Sequence, residues 1–132
     1  MSYDVKLVDP VTGGTLKLDS PYHQIKVGTR QFGSFVEASL NITWDYGKHY
    51  RRVFPDRYSD HHKAKNGKLT GVRTIYGLTG DESIPVLEKA ILRLGDDVDD
   101  DYWKGTEGNA RRALTQLLAL AQMRPDGIWD GD

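Results

Sequence analysis

Alternation of apolar and polar side chains is clearest between Phe35 and Trp44. Every second position there is apolar: Val36, Ala38, Leu40, Ile42 and Trp44. The polar positions between them are Glu37, Ser39, Asn41 and Thr43. A period of two puts the two sets on opposite faces of a strand. We therefore predict a strand over 35–44 whose apolar face, Trp44 included, lies on the core.

Shorter strands are predicted before it. Residues 4–8 form the first, and the proline and glycines of 9–14 favour a turn after it. Alternation at Leu16 and Leu18 predicts a second strand, and 22–27 a third. We interpret 28–33 as a glycine-bounded loop with Arg30 at its centre.

The middle of the chain is expected to be less regular. Asp45 is the predicted N-cap of a short helix over 46–54, which Pro55 ends. The polar, glycine-containing stretch 56–71 is interpreted as a mobile loop. A short strand is predicted over 73–76.

Helical periodicity dominates the second half. Ser83 or Asp81 is the predicted cap of a helix that ends at Leu94, and Thr106 caps the last helix. The apolar stripe of that last helix is Ala110, Ala113, Leu114, Leu117, Leu118 and Ala121. The chain is thus predicted to be a single α+β domain over 1–132, in which an N-terminal antiparallel β-sheet packs with two C-terminal α-helices. About 1–78 is β-rich and 79–132 helical.

Composition narrows the function classes. No apolar run approaches the ~20 residues of a membrane span, and the N-terminus lacks a signal-peptide pattern. The chain contains no cysteine, and its net charge of −1 argues against binding to nucleic acid. We expect a cytoplasmic protein without a membrane or nucleic-acid partner.

Charge is nevertheless uneven along the chain. Residues 47–73 carry eight Lys or Arg against two Asp, and residues 81–101 carry eight Asp or Glu against Lys89 and Arg93. Two solvated faces are the simpler interpretation. Contact between the two segments across a subunit interface is the other, and with Tyr50 and Trp129 taken as exposed it predicts a homo-oligomer, a dimer or higher.

Metal and catalytic motifs are weak. Asp97, Asp99 and Asp101 have the spacing of a calcium loop, but Tyr102 and Gly108 stand where that loop needs glycine and glutamate. His61 and His62 beside Asp60 lack an evident third ligand. The chain has no nucleophile elbow and no phosphate-binding glycine loop. We therefore predict no metal, no cofactor and no catalytic activity.

The stretch 102–112 is the strongest candidate for ligand binding. It places Trp103, a surface for stacking, before a helix start whose free amides suit phosphate. The predicted ligand-binding residues are Trp103, Asn109, Arg111, Arg112, Arg124, Asp126 and Arg30. The other interpretation is that Trp103 anchors the core and the arginines are ordinary surface residues.

Several segments together resemble a family of small proteins encoded by phages and prophages. They are 4–13, 40–44, 74–80 with the helix after it, 106–114 and 123–127. In length and predicted architecture the chain is similar to the anti-Thoeris sponge proteins of phages. That resemblance implies a counter-defence protein in the cytoplasm of an infected bacterium. It would bind a nucleotide immune signal, a cyclic ADP-ribose isomer or also cyclic oligonucleotides, without cleaving it.

Two other functions fit the same sequence. A metal-dependent hydrolase of such a signal would hold its ion at 96–101. A protein–protein inhibitor would use the charged segments to block a host factor.

Overall fold

The computed structural model describes residues 2–18, 24–27, 30–34 and 37–132 of the chain. The strands are β1 (Ser2–Val8), β2 (Gln24–Val27), β3 (Arg30–Ser34), β4 (Ser39–Thr43), β5 (Arg57–Tyr58), β6 (Lys68–Leu69) and β7 (Ile128–Gly131). The α-helices are α1 (Gly47–Val53), α2 (Gly80–Leu92) and α3 (Glu107–Met123). Two 3₁₀ helices span Trp44–Tyr46 and Gly71–Ile75.

β1 is the central strand of a three-stranded antiparallel sheet with the order β4-β1-β7. Val5 pairs with Leu40 of β4, and Leu7 pairs with Trp129 of β7. Alternate residues of β1 are buried, as a strand with one face on the core requires. The predicted first strand is confirmed, and the last residues of the chain complete its sheet.

β4 is shorter than the alternating pattern suggested. Ala38, Leu40 and Ile42 are buried as predicted, but Trp44 is 44% exposed and begins a 3₁₀ helix. The side chain of Thr43 accepts a hydrogen bond from the Asp45 amide, so Thr43 is the cap of this turn. The prediction that Asp45 is the cap was wrong, because the helical turn starts before Asp45.

Two predictions in the N-terminal half need correction. Arg30, placed in a loop by its flanking glycines, begins β3, which pairs with β2 as an antiparallel hairpin. Leu16 and Leu18 are buried as expected. Their segment is held by isolated bridges at Thr15 and Lys17, so it is not a regular strand.

The helix pair α2 and α3 forms the second half of the domain, as predicted. α2 begins at Gly80, before both predicted caps, because Thr79 and Glu82 form a reciprocal capping box, and Asp81 lies in the first turn of the helix. Ser83, one of the two predicted caps, is instead buried and accepts a hydrogen bond of 2.7 Å from the Trp129 indole. For α3, Thr106 is the cap as predicted, and its side chain accepts from the Asn109 amide.

The stretch 56–71 is not the irregular loop that its polarity suggested. β5 and β6 pair as a short antiparallel hairpin, and a 3₁₀ helix follows where a strand over 73–76 was predicted. The Arg57 guanidinium holds the end of that later segment, because it donates to the carbonyls of Thr74 and Tyr76.

The core lies between the sheet and the helix pair, and the chain is an α+β protein with an antiparallel sheet. Tyr50 and Trp129, expected to be exposed, are fully buried. Tyr50 donates a hydrogen bond of 2.9 Å to the Ala110 carbonyl, which lets its hydroxyl enter the core without an unmet polar group. Within the described ranges, the helices are all too short or too polar to cross a bilayer.

Candidate functional site

The start of α3, predicted to bind phosphate, is occupied by the chain's own side chains. The Asp97 carboxylate accepts a hydrogen bond of 3.0 Å from the Gly108 amide, and Thr106 accepts from the Asn109 amide. A Cβ at Gly108 would lie 2.6 Å from the backbone of Asp97 and Val98, so glycine permits this close approach. The anion that the helix N-terminus attracts is therefore Asp97 itself.

Asn109 holds the loop 97–104 onto α3. Its amide nitrogen donates to the carbonyls of Asp101 and Lys104, and its amide oxygen accepts from the Asp99 amide. Arg112 is 7% exposed and directs a guanidinium nitrogen at the Asp99 carbonyl and the Asn109 oxygen, 3.4 Å from each. These two predicted ligand-binding residues are built into the fold.

The other residues predicted near this helix start lie outside that network. Trp103 is 47% exposed, and its ring makes an edge contact with Tyr102 at 5.1 Å between centroids. The interpretation of Trp103 as a core anchor does not fit this exposure. Arg111 is half-buried and lies about 100° around the helix from Arg112, so the two guanidinium groups do not share a face.

The remaining predicted residues lie elsewhere. Arg124 and Asp126 follow the far end of α3, roughly 25 Å from its start for a helix of this length. Arg124 forms a forked ion pair with Asp126 and donates to the Lys17 carbonyl. That pairing holds the pKa of Asp126 below its usual value. Arg30 begins β3, and its side chain is outside the described part. Within the described part, one chain does not bring the predicted set into one pocket.

A different pocket has the chemistry that a phosphorylated ligand needs. It has a volume of about 270 Å³ and lies between β6, the turn before it and the following 3₁₀ helix. We call it the cationic pocket; its lining residues are Lys63, Lys65, Asn66, Lys68, Leu69, Thr70 and Arg73. Four of these seven are cations, and the others offer amide or hydroxyl groups, except Leu69.

The turn at Asn66 and Gly67 shapes this pocket. Both residues have positive φ, 54° and 76°, and Lys65 and Lys68 exchange backbone hydrogen bonds of 3.0 Å across them. That is the two-residue hairpin turn for which Asn-Gly is the preferred pair. The sequence therefore held a signal for this hairpin, and the cation density of 47–73 pointed to the same segment.

The cations of the pocket differ in what they already bind. Lys68 lies 3.5 Å from Asp56, and Arg73 forms an ion pair of 2.5 Å with Asp132. Arg73 also lies 5.2 Å above the Tyr3 ring, and its Nε is buried without a hydrogen-bond acceptor in the described structure. Across the described ranges, neither Lys63 nor Lys65 has a carboxylate within ion-pair distance. Two lysines are thus left to attract an anion.

A larger groove between the end of α1 and the middle of α2 is less suited to such a ligand. Its volume is about 350 Å³. Its lining residues are Val53, Pro55, Pro85, Val86, Lys89 and Arg93. Four of the six are apolar, and Arg93 already donates to the Val53 carbonyl at 3.3 Å. The groove has little to pair with phosphate oxygens.

Gln116 and Tyr46 have buried polar atoms without a hydrogen-bond partner in the described structure. Gln116 is fully buried on α3, and neither atom of its amide has a hydrogen-bond partner in the part of the chain that is described. The same holds for the hydroxyl of Tyr46, whose pKa is raised by burial and by the neighbouring Tyr102. Each buried polar group without a hydrogen-bond partner lowers the stability of the fold unless water or a ligand provides one.

No protein-family model matches the chain, and no curated protein or solved structure matches it either.

Proposed function

We propose that the chain binds a small phosphorylated molecule of the nucleotide class in the cationic pocket and releases it chemically unchanged. One observation carries the proposal. Four cationic side chains converge on a pocket of about 270 Å³, and two of them, Lys63 and Lys65, have no carboxylate partner within the described ranges. Lysine ammonium groups and arginine guanidinium groups are the usual protein partners of phosphate.

The size of the pocket indicates which part of the ligand it takes. Small-molecule sites commonly have volumes of about 300–1,000 Å³, so this pocket is near the lower end of that range. It has room for a phosphate or diphosphate with an adjoining ribose. We propose that the base remains at the rim or contacts a second copy of the chain.

Chemical inertness is part of the proposal because of what lines the pocket. Its seven lining residues include no carboxylate, imidazole or thiol, the groups that most often act as general bases or nucleophiles. A ligand held there meets donors that neutralise its charge. Sequestration, in which abundant protein lowers the free concentration of a signal, needs no more than this.

The resemblance to the anti-Thoeris sponge proteins supplies the first ligands to test. A cyclic ADP-ribose isomer has a diphosphate, whose charge Lys63 and Lys65 would neutralise. On this proposal the protein is a phage counter-defence factor that acts in the cytoplasm of the infected host.

The test combines binding with recovery of the ligand. Cyclic ADP-ribose isomers and linear ADP-ribose are titrated into the purified chain by calorimetry. The bound ligand is then released by heat and identified by chromatography. We expect saturable binding and recovery of the intact ligand. A changed product would contradict sequestration and favour a hydrolase.

Lysine variants test the location. Lys63→Ala and Lys65→Ala should each weaken binding by about tenfold, the equivalent of one charge-assisted hydrogen bond of roughly 1.4 kcal/mol. Lys48→Ala is the matched control, because Lys48 is exposed on α1 and does not line the pocket. If all three variants bind the ligand as tightly as the parent chain, the ligand does not bind in the cationic pocket.

A further inference from the structure

Two neighbouring histidines and an aspartate from a distant strand meet at one point beside the β5–β6 connection. His61 Nε2 lies 3.3 Å from Asp130 Oδ1, and His62 Nε2 lies 3.6 Å from the same oxygen. The two imidazole rings stack at 4.3 Å between centroids. The folding of β7 against β1 thus provides the third group that was not evident beside His61 and His62 in the sequence.

The separation between His62 and Asp130 is too long for a direct hydrogen bond, and that between His61 and Asp130 is at the long end of the range. A typical N–H···O bond spans about 2.7–3.2 Å between heavy atoms. A tetrahedral zinc ion with bonds of about 2.0–2.1 Å holds neighbouring ligand atoms roughly 3.3 Å apart. One ligand atom from each of His61, His62 and Asp130 lies within 4.8 Å of the others. The spacing fits three groups around one ion.

We propose that His61, His62 and Asp130 form a binding site for a divalent transition metal of the zinc class. Two imidazole nitrogens and one carboxylate oxygen favour zinc, nickel or copper over calcium and magnesium, which prefer all-oxygen sites. Three protein ligands leave a fourth position for water or another small ligand. The site is separate from the cationic pocket, whose lining residues include none of the three.

The surroundings of each ligand are consistent with this role. His61 is only 12% exposed, and its ring lies 5.6 Å from that of Tyr76. The Gly131 amide donates to Asp130 Oδ1 at 2.8 Å and orients the carboxylate. His62 is 63% exposed, so it provides the open side of the site.

Metal binding requires one local rearrangement. The Lys63 amide donates to His61 Nδ1 at 3.1 Å, which places the proton of a neutral ring on Nε2, toward Asp130. Coordination through Nε2 needs that proton to move to Nδ1 and the Lys63 amide to turn away. A shift of the Lys63 amide resonance is therefore a specific sign of binding at this site.

The experiment uses chain stripped with a chelator and then dialysed. Zinc is titrated by calorimetry, and cobalt(II) by visible absorption, which reports tetrahedral coordination. We expect one ion per chain and a shift of the Lys63 amide. His62→Ala and Asp130→Asn should each weaken binding by about a hundredfold. Asp60→Asn and Lys48→Ala are the controls, because the first changes a neighbouring carboxylate and the second an exposed lysine on α1 that belongs to neither site.

His62→Ala is the decisive variant if Asp130→Asn disturbs β7. The His62 ring is largely exposed, so its loss should leave the fold intact. Equal zinc affinity in His62→Ala and the parent chain would overturn the proposal. An octahedral cobalt spectrum, or no saturable binding to the parent chain, would also overturn it. If the chain binds zinc but no nucleotide, the metal site is supported and only the proposed function is contradicted.

Discussion

Two strongly charged regions of this molecule make opposite use of their charge. In the acidic loop 96–101, Asp97 accepts from the Gly108 amide, Asp99 accepts from the Asp101 amide, and Asp101 accepts from the Trp103 amide. In the cationic pocket, Lys63 and Lys65 have no carboxylate partner in the described structure and face a hollow. The acidic side chains are used in the fold, whereas the two lysines are available for the ligand that we propose.

The carboxylates of this loop are turned toward the chain's own backbone amides. Carboxylates turned toward the chain's own amides do not converge on one point. In the described part of the chain, residues 96–101 provide no group of three close ligand atoms. The spacing of a calcium loop is therefore present without its geometry.

Loss of Asn109 should have the largest effect on stability. Asn109→Ala removes four hydrogen-bond partners at once and leaves the Asp99 amide without its acceptor. We expect the free energy of unfolding to fall by about 3 kcal/mol, measured by urea denaturation. Asn41→Ala, at an exposed position of β4, should change it by less than about 0.5 kcal/mol. Unchanged stability with lost ligand binding would instead place Asn109 in a ligand site.

Replacement of Gln116, on the same helix as Asn109, should raise the stability of the fold. Its buried amide has no partner within the described ranges, so Gln116→Met exchanges an unmet polar group for an apolar one of similar size. We expect the free energy of unfolding to rise by about 1 kcal/mol. Gln122→Met, at an exposed position of α3, should have little effect. A loss of stability in Gln116→Met would indicate that water or a ligand satisfies the amide.

Protonation of His61 should give a smaller, pH-dependent effect. Burial lowers the pKa of His61 below its ordinary value of 6.5, and the opposing charge of Asp130 only partly offsets this. The unfolded chain therefore takes up this proton more readily than the folded one, and stability is lost as pH falls below about 6.5. Denaturation of chelator-treated protein at several pH values should show this loss, and His61→Gln should reduce it. An equal loss in the variant would assign the effect to other groups.

Trp103→Ala should have the smallest effect. Because the ring is half exposed and contacts Tyr102 by its edge, we expect less than about 1 kcal/mol of lost stability and unchanged nucleotide affinity. Thermal unfolding with and without ligand measures both quantities. If the variant folds but the ligand no longer stabilises it, the start of α3 would be the binding site.

Local patterns predicted the parts of this fold that depend on local physics. The buried residues of β1 and β4, the Thr106 cap and the apolar stripe of α3 follow from periodicity and capping chemistry. The Thr79 capping box and the Asn66-Gly67 turn also have local sequence signals. Ser83 and the polarity of 56–71 are competing local signals that favour a different helix start and an irregular loop.

Other features depend on contacts between distant segments. The pairing of β7 with β1 buries Trp129 and brings Asp130 to His61 across 69 positions of the chain. The hydrogen bond from the Gly108 amide to the Asp97 carboxylate likewise depends on how the loop folds back onto α3. No window of sequence contains both partners, so the site residues were harder to predict than the elements that hold them.

Amide NMR shifts during titration with cyclic ADP-ribose or ADP-ribose test the central claim most directly. We predict that the largest shifts fall on residues 63–73 and saturate with one ligand per pocket, while 97–112 changes little. Shifts concentrated at 97–112, or none at 63–73 at saturation, would contradict the assignment of the cationic pocket as the binding site.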